Sequence, residues 1–214
     1  MKISKYIDHT LLKPDVTEIQ IQRLCEDAVK YCFFSVCVNP VWVSLAVDFL
    51  KDKKVKVCST VGFPLGSTTS ETKAFEAKEA VKNGADEIDM VINIGKLKSR
   101  EDEFVFDDIR KVREAILGKV LKVIIETSAL KDEEKVRACH LAEKAGADFI
   151  KTSTGFGEGG ATTKDIKLIG NSISSKVKIK ASGGISDYVT AKAMIEAGAS
   201  RIGCSRSIDV IFGE

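Results

Sequence analysis

The chain has 214 residues and a mass of 23.3 kDa, enough for one generous domain or two small ones. Its 33 basic and 31 acidic side chains are spread along the sequence and leave a formal charge of +2, so there is no basic stripe of the kind that binds nucleic acid. With 44% hydrophobic and 30% charged residues the chain is able to bury a core, and no apolar run approaches the ~20 residues that span a bilayer.

The opening residues, Met1-Lys2-Ile3-Ser4-Lys5-Tyr6, lack the apolar stretch of a signal peptide, which makes a cytoplasmic protein the expectation. A first strand is expected near 7–8. The helix after it, near 17–31, begins with the capping-box signature Thr17-Glu18-Ile19-Gln20. Further strands near 34–38, 55–61, 87–93, 121–126, 149–153, 177–181 and 201–204 alternate with helices near 41–51, 69–83, 103–117, 132–145, 163–174 and 186–197, and a short helix follows Cys204.

Within this alternation one pattern recurs, as Asn83-Gly84-Ala85-Asp86-Glu87-Ile88, Ala145-Gly146-Ala147-Asp148-Phe149-Ile150 and Ala197-Gly198-Ala199-Ser200-Arg201-Ile202. Each glycine is expected to end a helix in a left-handed cap, with a strand starting two or three residues later. The copies lie about two strand–helix units apart. Eight such units predict a (β/α)8 TIM barrel, a single domain over residues 1–214. An open doubly wound sheet would carry a glycine-rich loop after the first strand, where Thr10-Leu11-Leu12-Lys13-Pro14 stands instead.

The six cysteines (Cys25, Cys32, Cys37, Cys58, Cys139 and Cys204) form no C-x-x-C pair, and the two histidines, His9 and His140, are far apart. Buried, reduced thiols are expected, with no metal. Lys13, Lys53 and Lys54 read as solvated surface lysines, and His9 as a hydrogen-bonded support.

Barrel strands turn alternate side chains inward. By that parity Glu87, Asp89, Val91 and Asn93 face in on the fourth strand, and Lys122, Ile124 and Glu126 on the fifth. Phe149, Lys151 and Ser153 share one face of the sixth, and Lys178, Lys180 and Ser182 one face of the seventh. With Asp8 from the first strand, the interior set becomes three acids (Asp8, Asp89, Glu126) and three lysines (Lys122, Lys151, Lys180). Unpaired buried charges cost several kcal/mol each, so the members must compensate one another. They form either a structural ion-pair network or a functional site at the C-terminal strand ends, where barrel enzymes do their chemistry.

Two lysines on neighbouring strands sharpen the second reading. Ammonium groups ~5 Å apart at an effective dielectric of ~20 repel by roughly 3 kcal/mol, which favours a neutral, nucleophilic amine. That suits Schiff-base catalysis, and it equally suits plain anion binding. Glycines then cluster after the last strands, in Thr154-Gly155-Phe156-Gly157, Ser182-Gly183-Gly184 and Gly203-Cys204-Ser205. Side by side, such loops offer a phosphate cradle of backbone N–H groups.

These segments resemble the deoxyribose-phosphate aldolase family. The likeness runs through Asp8-His9-Thr10-Leu11-Leu12, Val36-Cys37-Val38-Asn39-Pro40, Gly62-Phe63-Pro64-Leu65-Gly66, the runs 84–91 and 121–127, Phe149-Ile150-Lys151-Thr152-Ser153-Thr154-Gly155 and Lys180-Ala181-Ser182-Gly183-Gly184. The resemblance implies a class I aldolase in which Lys151 forms the Schiff base and Lys180 is the neighbour that favours its neutral form. Asp89 would relay protons through water, with Asp8 as an outer member of the charged network. Cys37 would lie beside the substrate, and Thr154, Gly155, Gly183, Gly184 and Ser205 would contact its phosphate.

The implied reaction is reversible cleavage of 2-deoxy-D-ribose 5-phosphate to D-glyceraldehyde 3-phosphate and acetaldehyde, in deoxyribose catabolism, with no metal or other cofactor. The implied partners are the sugar phosphate and acetaldehyde, and the implied assembly a homodimer or homotetramer. Two departures stand out. Some members carry a lysine after Thr-Gly where this chain has Phe156, and Arg206 after Ser205 is expected to restore positive charge. Longer members end in a tyrosine-bearing tail, whereas this sequence ends Phe212-Gly213-Glu214. Alternatives left open are a Schiff-base aldolase for another sugar phosphate, a phosphate-sugar isomerase, and a sugar-phosphate-binding barrel without turnover.

Overall fold

Eight strands alternate with helices in a computed structural model that describes residues 2–213. Met1 and Glu214, the two ends of the expected domain, lie outside the described residues. The elements run β1 (Ile7–Leu11), α1 (Glu18–Lys30), β2 (Ser35–Val38), α2 (Val43–Phe49), β3 (Lys56–Val61), α3 (Ser70–Lys82), β4 (Glu87–Val91), α4 (Ile94–Lys98) and α5 (Asp102–Ala115). Then come β5 (Val120–Ile124), α6 (Asp132–Lys144), β6 (Phe149–Lys151), α7 (Thr163–Ser172), β7 (Lys178–Ser182), α8 (Tyr188–Glu196), β8 (Arg201–Cys204) and α9 (Ser207–Phe212). Each strand pairs in parallel with the next, and β8 returns to β1, so the sheet is a closed (β/α)8 barrel. No described helix is long and apolar enough to cross a membrane.

The recurring Gly-Ala segment explains how the strands are launched. Gly84, Gly146 and Gly198 take φ values of 105°, 89° and 121°, a region open to glycine and costly for other residues. The alanine after each turns its N–H back onto the helix just completed, at 3.0 Å in all three cases (Ala85 to Ala80, Ala147 to Ala142, Ala199 to Met194). The following N–H already bonds the neighbouring strand: Asp86 to Val57 at 2.8 Å, Asp148 to Leu121 at 2.9 Å and Ser200 to Ile179 at 2.9 Å. One short motif thus ends a helix and sets the register of β4, β6 or β8. At the start of α1 the expected capping box forms, with the Thr17 N–H donating to Gln20 Oε1 at 2.8 Å.

Ile88, Met90, Leu121, Val123, Ile150, Ile179 and Ile202 face the helices and join one continuous core with their inner stripes. The helical layer holds its own buried ion pair, Lys73 of α3 to Asp108 of α5 at 2.5 Å, with Lys73 also donating to the Val91 carbonyl at 2.9 Å. Five of the six cysteines are buried, as expected. Cys32 is exposed, because the chain leaves α1 there in a left-handed turn with φ 57°.

Several strands end earlier than the alternation suggests. β4 stops at Val91, and Asn93 does not face the barrel interior as a strand residue. Its side chain accepts from the Lys96 N–H at 3.1 Å and caps α4, a helix the sequence reading did not contain. β5 stops at Ile124, and Glu126 adopts a left-handed conformation with φ 53°. β1 in turn extends to Leu11.

Candidate active site

Asp89, in the middle of β4, is the hub of the interior. Its Oδ1 accepts from Lys122 Nζ at 2.9 Å, while its Oδ2 accepts from Lys151 at 2.8 Å and Lys180 at 2.7 Å. Lys180 also reaches Asp8 Oδ2 at 2.5 Å, and Lys122 reaches Glu87 Oε2 at 2.6 Å. Arg201, the first residue of β8, bridges Asp8 at 2.8 Å and Glu87 at 3.2 Å. The Ser35 hydroxyl donates to Asp8 Oδ1 at 2.6 Å.

The interior therefore holds Asp8, Glu87 and Asp89 with Lys122, Lys151, Lys180 and Arg201. Glu126, expected in this set, is not part of it. Its Oε2 accepts from the Thr154 N–H at 3.1 Å and from the Thr154 hydroxyl at 2.5 Å, and so clamps the loop after β6. Inward parity holds only while the chain is a strand, and β5 has ended two residues earlier. Glu87 takes its place as the third acid. Arg201 was missed, because a charge at the first residue of a strand reads as solvated. In fact its guanidinium lies over the Phe34 ring at 3.4 Å.

Burial opposes the charge on Asp8 and Asp89, yet the surrounding cations win. Lys180, Lys122 and Arg201 hold Asp8 below the usual carboxylate range, and Lys122, Lys151 and Lys180 hold Asp89 well below it. Burial likewise disfavours the ammonium form of the two innermost lysines. Asp8 and Asp89 nevertheless raise Lys180 above its ordinary value, and Asp89, Cys58, Glu87 and Asp8 do the same for Lys122.

The three lysines are not equivalent. Lys122 and Lys180 are fully buried and each is held by two carboxylates at hydrogen-bonding distance. Lys151 has Asp89 alone among the described residues, and of the three it alone lines a cavity. Sharing Asp89 Oδ2 keeps the Lys151 and Lys180 nitrogens within about 5.5 Å of each other, where bare ammonium groups repel strongly. The bridging carboxylate oxygen offsets much of that repulsion.

The cavity, about 310 Å³, opens at the C-terminal end of the strands above Lys151. The three expected glycine loops meet there: Thr154-Gly155, Gly183-Gly184 and Gly203-Cys204-Ser205 all line it. They are packed backbone to backbone. The Ala161 N–H donates to the Gly183 carbonyl at 3.0 Å, and a Cβ on Gly160 would fall 2.2 Å from that same oxygen. Gly155, Gly183 and Gly184 all have positive φ, at 83°, 86° and 73°. Phe156 lines the cavity too and meets Phe63 edge to face at 5.3 Å.

Other expected residues fall elsewhere. Arg206 does not line the cavity; its Nε donates to Asp209 at 2.8 Å on the surface of α9. Cys37 does not line it either. It lies buried beneath Leu12, which does, in a small cluster with Cys58. Its hydrogen bond with Cys58 and the nearby Lys180 ammonium lower the Cys37 thiol's pKa against the opposing effect of burial. Lys13, read as an ordinary surface lysine, does line the cavity. His9 is a buried support, its Nδ1 2.9 Å from the Ser207 hydroxyl, and burial pulls its pKa down to about 4.

Sequence spacing contained no metal-ligand cluster, yet the fold gathers Cys37, Cys58 and Asp89 with donor atoms within 4.8 Å of one another. A cation there would have to displace ammonium groups already bound to Asp89.

A DeoC/LacD family aldolase profile matches residues 2–208. The deoxyribose-phosphate aldolase of Halalkalibacterium halodurans is 58% identical over 214 residues, covering 99% of this chain and 96% of its own. That of Streptococcus sanguinis is 55% identical over 214 residues, covering 100% and 97%. Among solved structures, the tetrameric deoxyribose phosphate aldolase of Aeropyrum pernix superposes with a TM-score of 0.90 at 31% identity, covering 98% of this chain and 89% of its own. Matched along its length by aldolases of one family, on a barrel shared with a solved member, this chain belongs to the DeoC/LacD aldolase family.

Proposed function

We propose that the protein cleaves 2-deoxy-D-ribose 5-phosphate reversibly to D-glyceraldehyde 3-phosphate and acetaldehyde, through an imine on Lys151. The observation that carries this reading is the inequality of the three interior lysines. Lys151 alone reaches the cavity, with a single carboxylate to hold it, while Lys122 and Lys180 are locked in place beneath.

The Lys151 amine attacks the C1 aldehyde, and loss of water gives a protonated imine. Removal of the C3 hydroxyl proton then breaks the C2–C3 bond. Its electrons move into the imine to leave an enamine, and C3 departs as the aldehyde of glyceraldehyde 3-phosphate. Protonation of the enamine at C2 and hydrolysis release acetaldehyde and restore Lys151. Asp89, 2.8 Å from the Lys151 nitrogen and kept anionic by its neighbours, takes part in these proton movements together with water. Lys180, held by Asp8 and Asp89, stays cationic and fixes the carboxylate oxygen it shares with Lys151.

The loops carrying Gly155, Gly183, Gly184 and Ser205 form the phosphate end of the cavity, with Thr154 fixing the first of them through Glu126. A role in deoxyribose catabolism, a cytoplasmic location and assembly into a homodimer or homotetramer complete the reading. The relatives' names and the tetrameric Aeropyrum pernix structure support its substrate and its assembly. The test is product analysis from 2-deoxyribose 5-phosphate. Equimolar glyceraldehyde 3-phosphate and acetaldehyde are expected. A five-carbon ketose phosphate instead would identify an isomerase, and binding without turnover would identify a binding barrel.

A further inference from the structure

Resting on the reading of the cavity as a sugar-phosphate site, we propose that Lys13 is the side-chain cation that recognises the substrate's phosphate group. The glycine loops contribute backbone N–H groups and no formal charge, and Phe156 presents an apolar ring beside them. Arg206 is turned away to Asp209. Besides Lys151, whose nitrogen is committed to Asp89 and the imine, Lys13 is the one cationic side chain among the described residues that line the cavity.

Its setting fits that task. Lys13 follows β1, and β1 runs beside β8, whose C-terminal end brings Gly203, Cys204 and the following Ser205 to the same cavity. The backbone that presents it is held on both sides. Leu12 is buried against Cys37 and Cys58, and its carbonyl accepts from Asn39 Nδ2 at 3.1 Å. Pro14 then restricts Lys13 itself to extended backbone. No hydrogen bond or ion pair engages the Lys13 ammonium among the described residues, so it is free to meet an incoming dianion. A flexible, strongly hydrated ammonium suits a ligand that must also leave. The specificity this confers is for a terminal phosphate over the unphosphorylated sugar.

The experiment compares wild type, Lys13→Gln and Lys13→Arg on 2-deoxyribose 5-phosphate and on 2-deoxyribose, with inorganic phosphate as a competing ligand. Wild-type turnover of either sugar tests the aldolase reading by itself. Lys13 is then judged from the ratio between substrates and from phosphate competition. Lys13→Gln is expected to raise KM for the phosphorylated sugar roughly 10- to 100-fold with kcat little changed. It should weaken inhibition by inorganic phosphate in parallel and leave kcat/KM for 2-deoxyribose as it was, while Lys13→Arg retains most of the preference. Equal losses on both sugars would make Lys13 a support of the loop, and unchanged KM with unchanged phosphate inhibition would leave recognition to the backbone. Either result overturns the proposal.

Discussion

Replacing Asp89 with Asn removes one carboxylate from three ammonium groups, and the structure says which of them suffers. Lys180 keeps Asp8 at 2.5 Å and Lys122 keeps Glu87 at 2.6 Å. Lys151 keeps no carboxylate among the described residues, since Asp89 is its sole partner. Stripping one member from a buried ion pair costs about 3–5 kcal/mol, against a total domain stability of about 5–15 kcal/mol. Asp89→Asn is therefore expected to remain folded in buffer and to lose about 3–5 kcal/mol in urea-induced unfolding at pH 7. Removing the orphaned ammonium should return part of that loss. The double variant Asp89→Asn/Lys151→Met is expected to be about 1–3 kcal/mol more stable than Asp89→Asn, so the two substitutions are non-additive, as contacting residues are. Paired Lys122→Met should return less, because Lys122 still has Glu87. A cost below about 1 kcal/mol for Asp89→Asn would refute the idea that this carboxylate binds the interior together. So would a double variant whose losses simply add.

Further outcomes follow from other parts of the molecule. His9 has a folded pKa of about 4 against an ordinary 6.5, so the unfolded chain binds its proton first as pH falls. Stability from this group is complete above pH 6.5 and is lost as pH drops toward 4, by roughly 2–3 kcal/mol between pH 7 and 4.5. Urea titrations at the two pH values should show that loss in wild type and a correspondingly smaller one in His9→Asn. Lys73→Met leaves Asp108 buried without its partner and is expected to cost about 3–5 kcal/mol, most of it regained in Lys73→Met/Asp108→Leu. Gly160→Ala would drive a methyl group to within 2.2 Å of the Gly183 carbonyl oxygen. The loop must shift, and steady-state assays should show KM for the sugar phosphate raised by roughly tenfold or more.

Much of this arrangement is legible in the sequence. The Gly-Ala segments at 84, 146 and 198 marked helix ends, because only a left-handed residue lets the chain turn back into a strand there, and their spacing announced repeated strand–helix units. Asp89, Lys122 and Lys180 were readable as interior because each lies in a strand between apolar residues that face the helices, and Asp8 and Lys151 because each follows one, Ile7 or Ile150. The errors cluster where strands end. Glu126 and Asn93 lie beyond the last strand residues of β5 and β4, and there a local hydrogen bond to Thr154 or to the Lys96 N–H decides the direction. Loop lysines have no parity at all, so Lys13 could not be told from Lys53 or Lys54. Which carboxylate each cation chooses is also invisible in sequence. It depends on the stagger that brings Arg201 to Glu87 and both Lys151 and Lys180 to one oxygen of Asp89.

The central claim is that Lys151 is the nucleophile, and the most direct measurement is reductive trapping. The protein is incubated with acetaldehyde or 2-deoxyribose 5-phosphate, reduced with borohydride, and its peptides are mapped by mass. An adduct on the peptide carrying Lys151, absent from Lys151→Met, is the predicted result. An adduct on Lys122 or Lys180, or none on any lysine while the sugar phosphate still binds, would contradict it.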